Sequence, residues 1–401
     1  MGWVEKNIQW LLPVFVFGFL ISDFFTSISF KLFSGSFYRY AGVVKLLFEL
    51  LMIAVILRNA RQHKKVIFFI GIMAVFFFLS QLFVKMPHYN LYEELLNGNI
   101  YFFNSYVYIL IFITFVNSTR VPQQTFKKIY RFFEYFLYIN TFLMFLGLIF
   151  HIELFRSYEY YDRFGVSGMF SKPGEASFMY IIAIVVNYYF WITYRTKSFG
   201  YKLMFFIVAS LFIGQKTVLF FLLLLLVVHT FFYSKYHRIF KIALPCLLLL
   251  AIFFVETLMR IMIRIFPFWD KVYSEVGVVG VLMSKRNILL ERTLAYINDH
   301  WTFWNYILGG IDFKNYKVEL ELIDLYFFMG IAGVAFYLYL IAIHFLKQAD
   351  FLKRSMIFAV FFTSFFSGGL LLNITAIIFM YIAVSKVLPN TEKHATIETK
   401  K

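Results

Sequence analysis

Long apolar stretches separated by short polar breaks dominate this chain, and nearly every stretch has the length of a bilayer crossing. A hydrocarbon core needs roughly 20 apolar residues per helix. The pattern predicts about twelve spans, at 8–25, 41–57, 66–84, 100–116, 129–150, 175–194, 201–213, 217–233, 242–258, 322–344, 355–370 and 374–388. The seventh is short, and GQKT (214–217) interrupts what could otherwise be one long helix. A transmembrane barrel would instead show alternating segments of about ten residues, which this sequence lacks. The expected fold is all-α: one polytopic membrane domain over 1–388, with a large outer loop at 257–320 between spans nine and ten, and a polar tail at 389–401.

Composition removes the soluble alternatives. Hydrophobic residues make up 61% of the 401 and charged residues 15%, against about 45–50% and about 25% in ordinary globular chains. The 57 Phe, 28 Tyr and 6 Trp suit lipid-facing surfaces and interfacial belts. The first apolar run, 8–22, has no basic segment before it and no small-x-small site after it, so it is expected to be the first span rather than a cleaved signal. With Cys246 alone, no intramolecular disulfide framework can form.

The net charge of +16 is a topology signal. With the N-terminus inside, the inner segments hold 22 Lys and Arg against four acids, and the remainder holds 16 bases against 18 acids. Positive residues accumulate on the cytoplasmic side of membrane proteins, so both termini are expected there. Nucleic-acid binding is not needed to explain the charge. The long segments 257–320 and 151–174 then face outward, and sixty residues exceed what a connector requires.

Those outer segments contain the candidate chemistry. Arg260 and Arg264 share a helix face, but headgroup snorkelling is the simpler reading for both. Arg286 lies six residues before Arg292, so the two converge only if the backbone bends. Guanidinium groups at a membrane surface suit phosphate, which they bind bidentately. Glu319, Glu321 and Asp324 stand at the mouth of the tenth span. Helix capping accounts for such acids in general, yet three exceed what a cap requires. Lys45 and Glu49, four apart in the second span, are expected to neutralise each other. Lys216 sits in the GQKT break, where a charge is tolerated only beside protein or water. Arg163, Lys172 and Glu175 surround a Gly/Pro-rich turn, and His300, flanked by Trp301 and Trp304, reads as an interfacial residue before a base. Gly330 and Gly333 suggest close helix packing. No metal-ligand cluster, Walker loop or dinucleotide fingerprint occurs in the sequence.

Three separated motifs resemble the O-antigen polymerase and ligase superfamily of bacterial surface-polysaccharide enzymes, in its Wzy-type polymerase branch. RFGVSGMFSKPGEASF (163–178) is similar to an Arg, Gly-x-Phe, Pro pattern ahead of a span. IGQKTVLFFLLLL (213–225) resembles a Ser-Arg break between two spans, with Lys216 in the arginine's place. SKR (284–286), LGG (308–310) and VELELIDLYFFMGIAG (318–333) resemble the run that closes the large outer loop, with Arg286 at the arginine position. Where the ligases carry a His, about eleven residues before the first glycine of Gly-x-x-Gly, this chain has Glu319, which favours polymerase over ligase.

The resemblance implies a polyprenyl-pyrophosphate-dependent glycosyltransferase of the bacterial inner membrane. It would move a growing O-antigen, capsule or related glycan from its lipid pyrophosphate onto a lipid-linked repeat unit. Glu319 would be the base, Glu321 or Asp324 would orient the acceptor, and Arg163, Lys216, Arg286 and Arg292 would hold phosphate. Trp301, Trp304, Tyr306 and Tyr316 could stack on sugars or anchor the loop in the interface. No cofactor or metal is required, and the implied partners are the lipid-linked oligosaccharide, membrane lipid and a chain-length regulator. The alternatives are an O-antigen ligase, a flippase or secondary transporter, for which twelve spans are equally natural, and a non-catalytic assembly scaffold.

Overall fold

The computed structural model describes residues 3–33, 39–84, 92–158, 163–233, 239, 242–243, 246, 249, 253–254, 256–257, 267–347 and 349–389. The described residues form helices and no strand, with one isolated bridge between Arg156 and Val166. Without water in a bilayer, backbone N–H and C=O groups must pair within the segment, and a helix does that locally.

The first eight helices are α1 (Trp3–Leu32), α2 (Tyr40–Arg58), α3 (Ala60–Leu82), α4 (Tyr92–Thr119), α5 (Gln123–Ile149), α6 (Pro173–Tyr194), α7 (Lys197–Leu211) and α8 (Lys216–Phe232). The region expected to form the outer loop supplies α9 (Pro267–Leu282), α10 (Arg286–His300), α11 (Phe303–Leu308) and α12 (Phe313–Tyr316). Three more close the chain: α13 (Glu321–Ile341), α14 (Phe351–Ser367) and α15 (Ile374–Tyr381); π-type turns extend α13 and α15 to Leu346 and Val387. A helix stands at every predicted span except the ninth, 242–258, most of which lies outside the described residues. So do Arg260, Arg264 and the tail from 390 onward.

Among the described residues seven helices are long and apolar enough to cross a membrane, namely α1 to α6 and α13 with its extension. The stretches Lys216–Phe232 and Ile374–Val387 are shorter apolar helices. The chain is a membrane-embedded helical protein. Within it, α6 is the central post: 83% of its apolar window is buried, against 28% for α2 and 22% for α3, whose outward Leu46, Leu47, Leu50 and Phe68 are left for lipid.

Side-chain contacts sort the helix ends into two sets. At one end His63 meets Ser118 at 2.7 Å, Tyr189 donates to Asp350 at 2.6 Å, and Ser385 donates to the His344 carbonyl. At the other end Lys31 donates to the carbonyls of Leu154 and Arg156, Asn99 to Gln81 and the Ile311 carbonyl, and Thr375 to Asp23. Successive helices therefore alternate in direction. The outer-loop helices gather at the second end, and the segments expected to face the cytoplasm gather at the first.

Lys45 does not neutralise Glu49. Its Nζ pairs with Asp23 of α1 at 2.9 Å, and Glu49 accepts from Asn104 of α4 at 2.9 Å. The i,i+4 spacing permits the local pair, but neighbouring helices present nearer partners. Gly330 breaks α13 at φ 66, and a Cβ there would overlap the backbone of Ile307 and Gly309. Close packing at Gly330 is thus backbone against backbone, with α11 as the partner.

Candidate functional site

Two glycines bring the first two motifs together. After α7 the chain turns through Gly214 at φ 70, a left-handed conformation that L side chains rarely adopt. A Cβ on Gly214 would overlap the Phe164 carbonyl, and one on Gly165 would overlap the Ile213 carbonyl. Val166 N–H donates to the Phe212 carbonyl at 2.8 Å, and Ser157 Oγ donates to the Ile213 carbonyl at 3.0 Å. Arg163 and Lys216 are therefore carried on two loops stitched main chain to main chain.

Aromatic rings of the outer segments cover both cations. The Arg163 guanidinium lies 3.7 Å from the centroid of Tyr158, 5.2 Å from Trp269 and 5.3 Å from Phe268. Lys216 Nζ stands 3.4 Å from the Trp269 centroid, donates to the Val281 carbonyl, and lies 3.4 Å from Ser284 Oγ. The Trp269 ring is thus shared by two positive groups, which its π face attracts. Burial, and then repulsion from Arg286, hold the Arg163 pKa below its ordinary value, and Lys216 feels both guanidiniums. Burial raises the Tyr158 phenol, against the opposing pull of Arg163. Arg163 Nε is buried with no partner among the described residues.

Arg286 opens α10 after two left-handed residues, Ser284 and Lys285. Its Nη1 donates to the Phe366 carbonyl at 3.2 Å and its Nη2 to the Ser367 carbonyl at 3.0 Å, so it caps the C-terminus of α14, where the helix dipole is negative. Nη2 also reaches Glu319 Oε2 at 3.4 Å. Glu319 is 54% exposed and left-handed, at φ 66. For a residue other than glycine that conformation costs about 1–2 kcal/mol, so its surroundings must impose it.

The two neighbouring acids impose it. Asp324 is buried and its Oδ1 accepts the Val318 N–H at 2.7 Å, fixing the residue before Glu319. Glu321 is buried and accepts from Ser364 Oγ at 2.9 Å and from the N–H groups of Leu370 and Leu371 at 2.8 Å each. Those bonds hold the turn after α14, where Gly368 lies so close that a Cβ would overlap the Glu319 carbonyl. Glu321 and Asp324 thus face protein, and Glu319 alone of the three faces out.

The structure gathers Arg163, Lys216, Arg286 and Glu319. Arg292 stays apart: it is exposed and lies 5.2 Å from the Tyr316 ring, because one straight helix carries it and Arg286 on different faces. His300 is 4.6 Å from the Tyr296 ring and bonds the Tyr296 carbonyl at 3.0 Å. Glu175 is enclosed near Lys45 and Asp23 rather than in this group, while Lys172 is exposed. Trp301 packs on Tyr306 and Phe327; Phe303 and Trp304 are exposed. Sequence reasoning missed Trp269, Phe268 and Tyr158, which form the walls. The FPFWDK run at 266–271 was the available signal, since three aromatic residues stand directly before an Asp–Lys pair there.

Chemically, three cations drawn from segments far apart in sequence line one end of the bundle, with one exposed carboxylate among them. Such an arrangement can hold a multivalent anion and accept a proton beside it. Compared with family models, curated proteins and solved structures, the chain matches none of them.

Proposed function

We propose that this protein is a surface-polysaccharide polymerase of the O-antigen type, crossing the bacterial inner membrane twelve times with both termini in the cytoplasm. It transfers a growing glycan from polyprenyl pyrophosphate onto a hydroxyl of the next lipid-linked repeat unit. The supporting observation is the meeting of Arg286 and Glu319 at 3.4 Å beside Arg163 and Lys216, all at the end of the bundle where the outer loop gathers.

In this reading the acceptor hydroxyl gives its proton to the Glu319 carboxylate as its oxygen bonds to the sugar carbon. The bond from that carbon to the diphosphate oxygen breaks, and the electron pair leaves with the diphosphate. Arg163, Lys216 and Arg286 stabilise the charge that grows on the leaving group. An arriving diphosphate competes with Glu319 for the guanidinium and so frees the carboxylate. Glu321 and Asp324 act as positioning residues.

Deleting the gene and resolving surface glycans on a gel tests the proposal. Single repeat units in place of a ladder support a polymerase. A full-length ladder retained on the lipid carrier would mean a ligase, and unpolymerised repeats trapped on the cytoplasmic face would mean a flippase.

A further inference from the structure

The opposite end of the bundle holds a second concentration of positive charge, remote from Arg286 and unused by the proposed reaction. A cavity of about 1020 Å3 opens there between the first turns of α5, the last turn of α6, the start of α7 and the segment ending at Pro389. Along α5 its lining runs from Gln123 to Tyr138, about 22 Å at the helical rise, which is deeper than a headgroup alone needs.

Four cations line it: Lys127, Arg131, Lys202 and Lys386. Only Lys202 is neutralised, by Glu134 at 2.7 Å, and the other oxygen of Glu134 is taken by Asn187 at 2.9 Å. Lys127, Arg131 and Lys386 have no carboxylate partner among the described residues. Lys386 Nζ lies 5.8 Å from the centroid of the Phe126 ring and 5.5 Å from that of Tyr381, so two ring faces position the ammonium group and no carboxylate among the described residues neutralises it. Tyr138 lies deepest along α5, where its ring packs 5.2 Å from Phe206, and Phe190 and Phe199, 5.1 Å apart, continue the aromatic wall toward the mouth. The adjoining face of α5 carries Phe132, Tyr135 and Ile139, each more than half exposed and apolar enough for lipid.

Cations at the mouth ask for an anion, and a ring-lined depth beside a lipid-facing helix asks for a hydrocarbon tail on it. A soluble phosphate would use the first feature and not the second. Basic pockets between helices at a membrane's cytoplasmic side are suited to acidic lipid headgroups. We propose that this groove binds one anionic phospholipid, its phosphate held by Lys127, Arg131 and Lys386 and its chains lying along the wall built by α5, α6 and α7.

The test is native mass spectrometry of the full chain in detergent, titrated with phosphatidylglycerol, phosphatidylcholine or inorganic phosphate. The expected result is one phosphatidylglycerol retained about tenfold more tightly than phosphatidylcholine, with phosphate failing to displace it. Combining Lys127→Gln, Arg131→Gln and Lys386→Gln should abolish that preference. Lys347→Gln with Arg354→Gln, cations at the same end but outside the groove, should preserve it, and so should Arg131→Lys. Size-exclusion profiles establish that each variant is folded, and Arg131→Gln alone should lower the preference if the triple variant is not. Equal retention of the two lipids, or equal losses from the two multiple variants, would reduce the effect to bulk headgroup attraction and overturn the proposal. Displacement by inorganic phosphate would overturn it in favour of a soluble anion.

Discussion

Arg286 and Glu319, 33 residues apart in sequence, meet at 3.4 Å and share the contact unequally. The guanidinium is only 18% exposed and is anchored behind by two carbonyls of α14, whereas the carboxylate is 54% exposed and bonded to nothing else among the described residues. A partly exposed ion pair of this kind contributes little stability, about 0–1 kcal/mol. The pair's value to the fold is small, so Glu319 can be tested for function with limited structural side effects, whereas a change at Arg286 would also uncap α14.

Glu319→Gln keeps the shape and removes the proton acceptor. If the carboxylate is the general base, chain elongation falls by about 10²–10⁴-fold while the amount of folded protein is unchanged. Glycan ladders from cells carrying the variant, normalised to membrane expression, measure this. A normal ladder would remove Glu319 from the reaction.

Glu319→Gly separates strain from chemistry. Glycine adopts a φ of 66 freely, so the variant should melt no lower than the parent and up to about 1 kcal/mol more stably, yet it should make no long chains. Thermal melting in detergent and the glycan ladder give the two readouts.

Glu321→Ala should act through the fold. It strips the acceptor from the Ser364 hydroxyl and from the Leu370 and Leu371 amides. Each buried donor left unpaired costs about 1–3 kcal/mol, so the expected outcome is a clear fall in melting temperature and yield. Glu321→Gln retains one acceptor oxygen and should fall between the two.

Trp269→Ala removes the ring that Arg163 and Lys216 share. Cation–π contacts contribute about 0.5–2 kcal/mol, which predicts roughly a 2- to 30-fold loss of elongation, with Trp269→Phe largely rescuing it. An unchanged rate in Trp269→Ala would show that the cations need no aromatic wall.

Gly214→Ala adds a methyl where the Phe164 carbonyl lies, in a left-handed position. Strain of about 1–3 kcal/mol should loosen the Arg163 loop and lower melting temperature and elongation together. Gly174→Ala is the control, because open space surrounds that position, and it should be neutral or slightly stabilising.

Helix placement was legible because lipid enforces it: a polar residue inside a span is costly, so spans announce themselves by uninterrupted apolarity. The approach of Arg163, Lys216, Arg286 and Glu319 was legible only through motif resemblance, since hydropathy gives order along the chain and not proximity across it. The roles of Glu321 and Asp324 were hidden. Both read as a surplus of acid, but their partners are main-chain amides around Val318 and Leu370, and main-chain amides leave no trace in residue identity. The same blindness misassigned Lys45, whose spacing to Glu49 looked sufficient until Asp23 of another helix proved nearer. Left-handed Glu319 could not be foreseen either, because only glycine advertises such a backbone.

The grip of Glu321 has a mechanical corollary. Its carboxylate sits on α13 but clasps the turn that follows α14, so these two antiparallel rods cannot slip past each other along the bilayer normal without tearing three bonds at once. Any force that tugs Glu319 therefore travels into Gly368 and on to the α14 carbonyls that tether Arg286. Glu319 and the carbonyls that hold Arg286, itself carried on α10, thus belong to a single hairpin, and the spacing of carboxylate and guanidinium is set by that hairpin and not by the surrounding lipid.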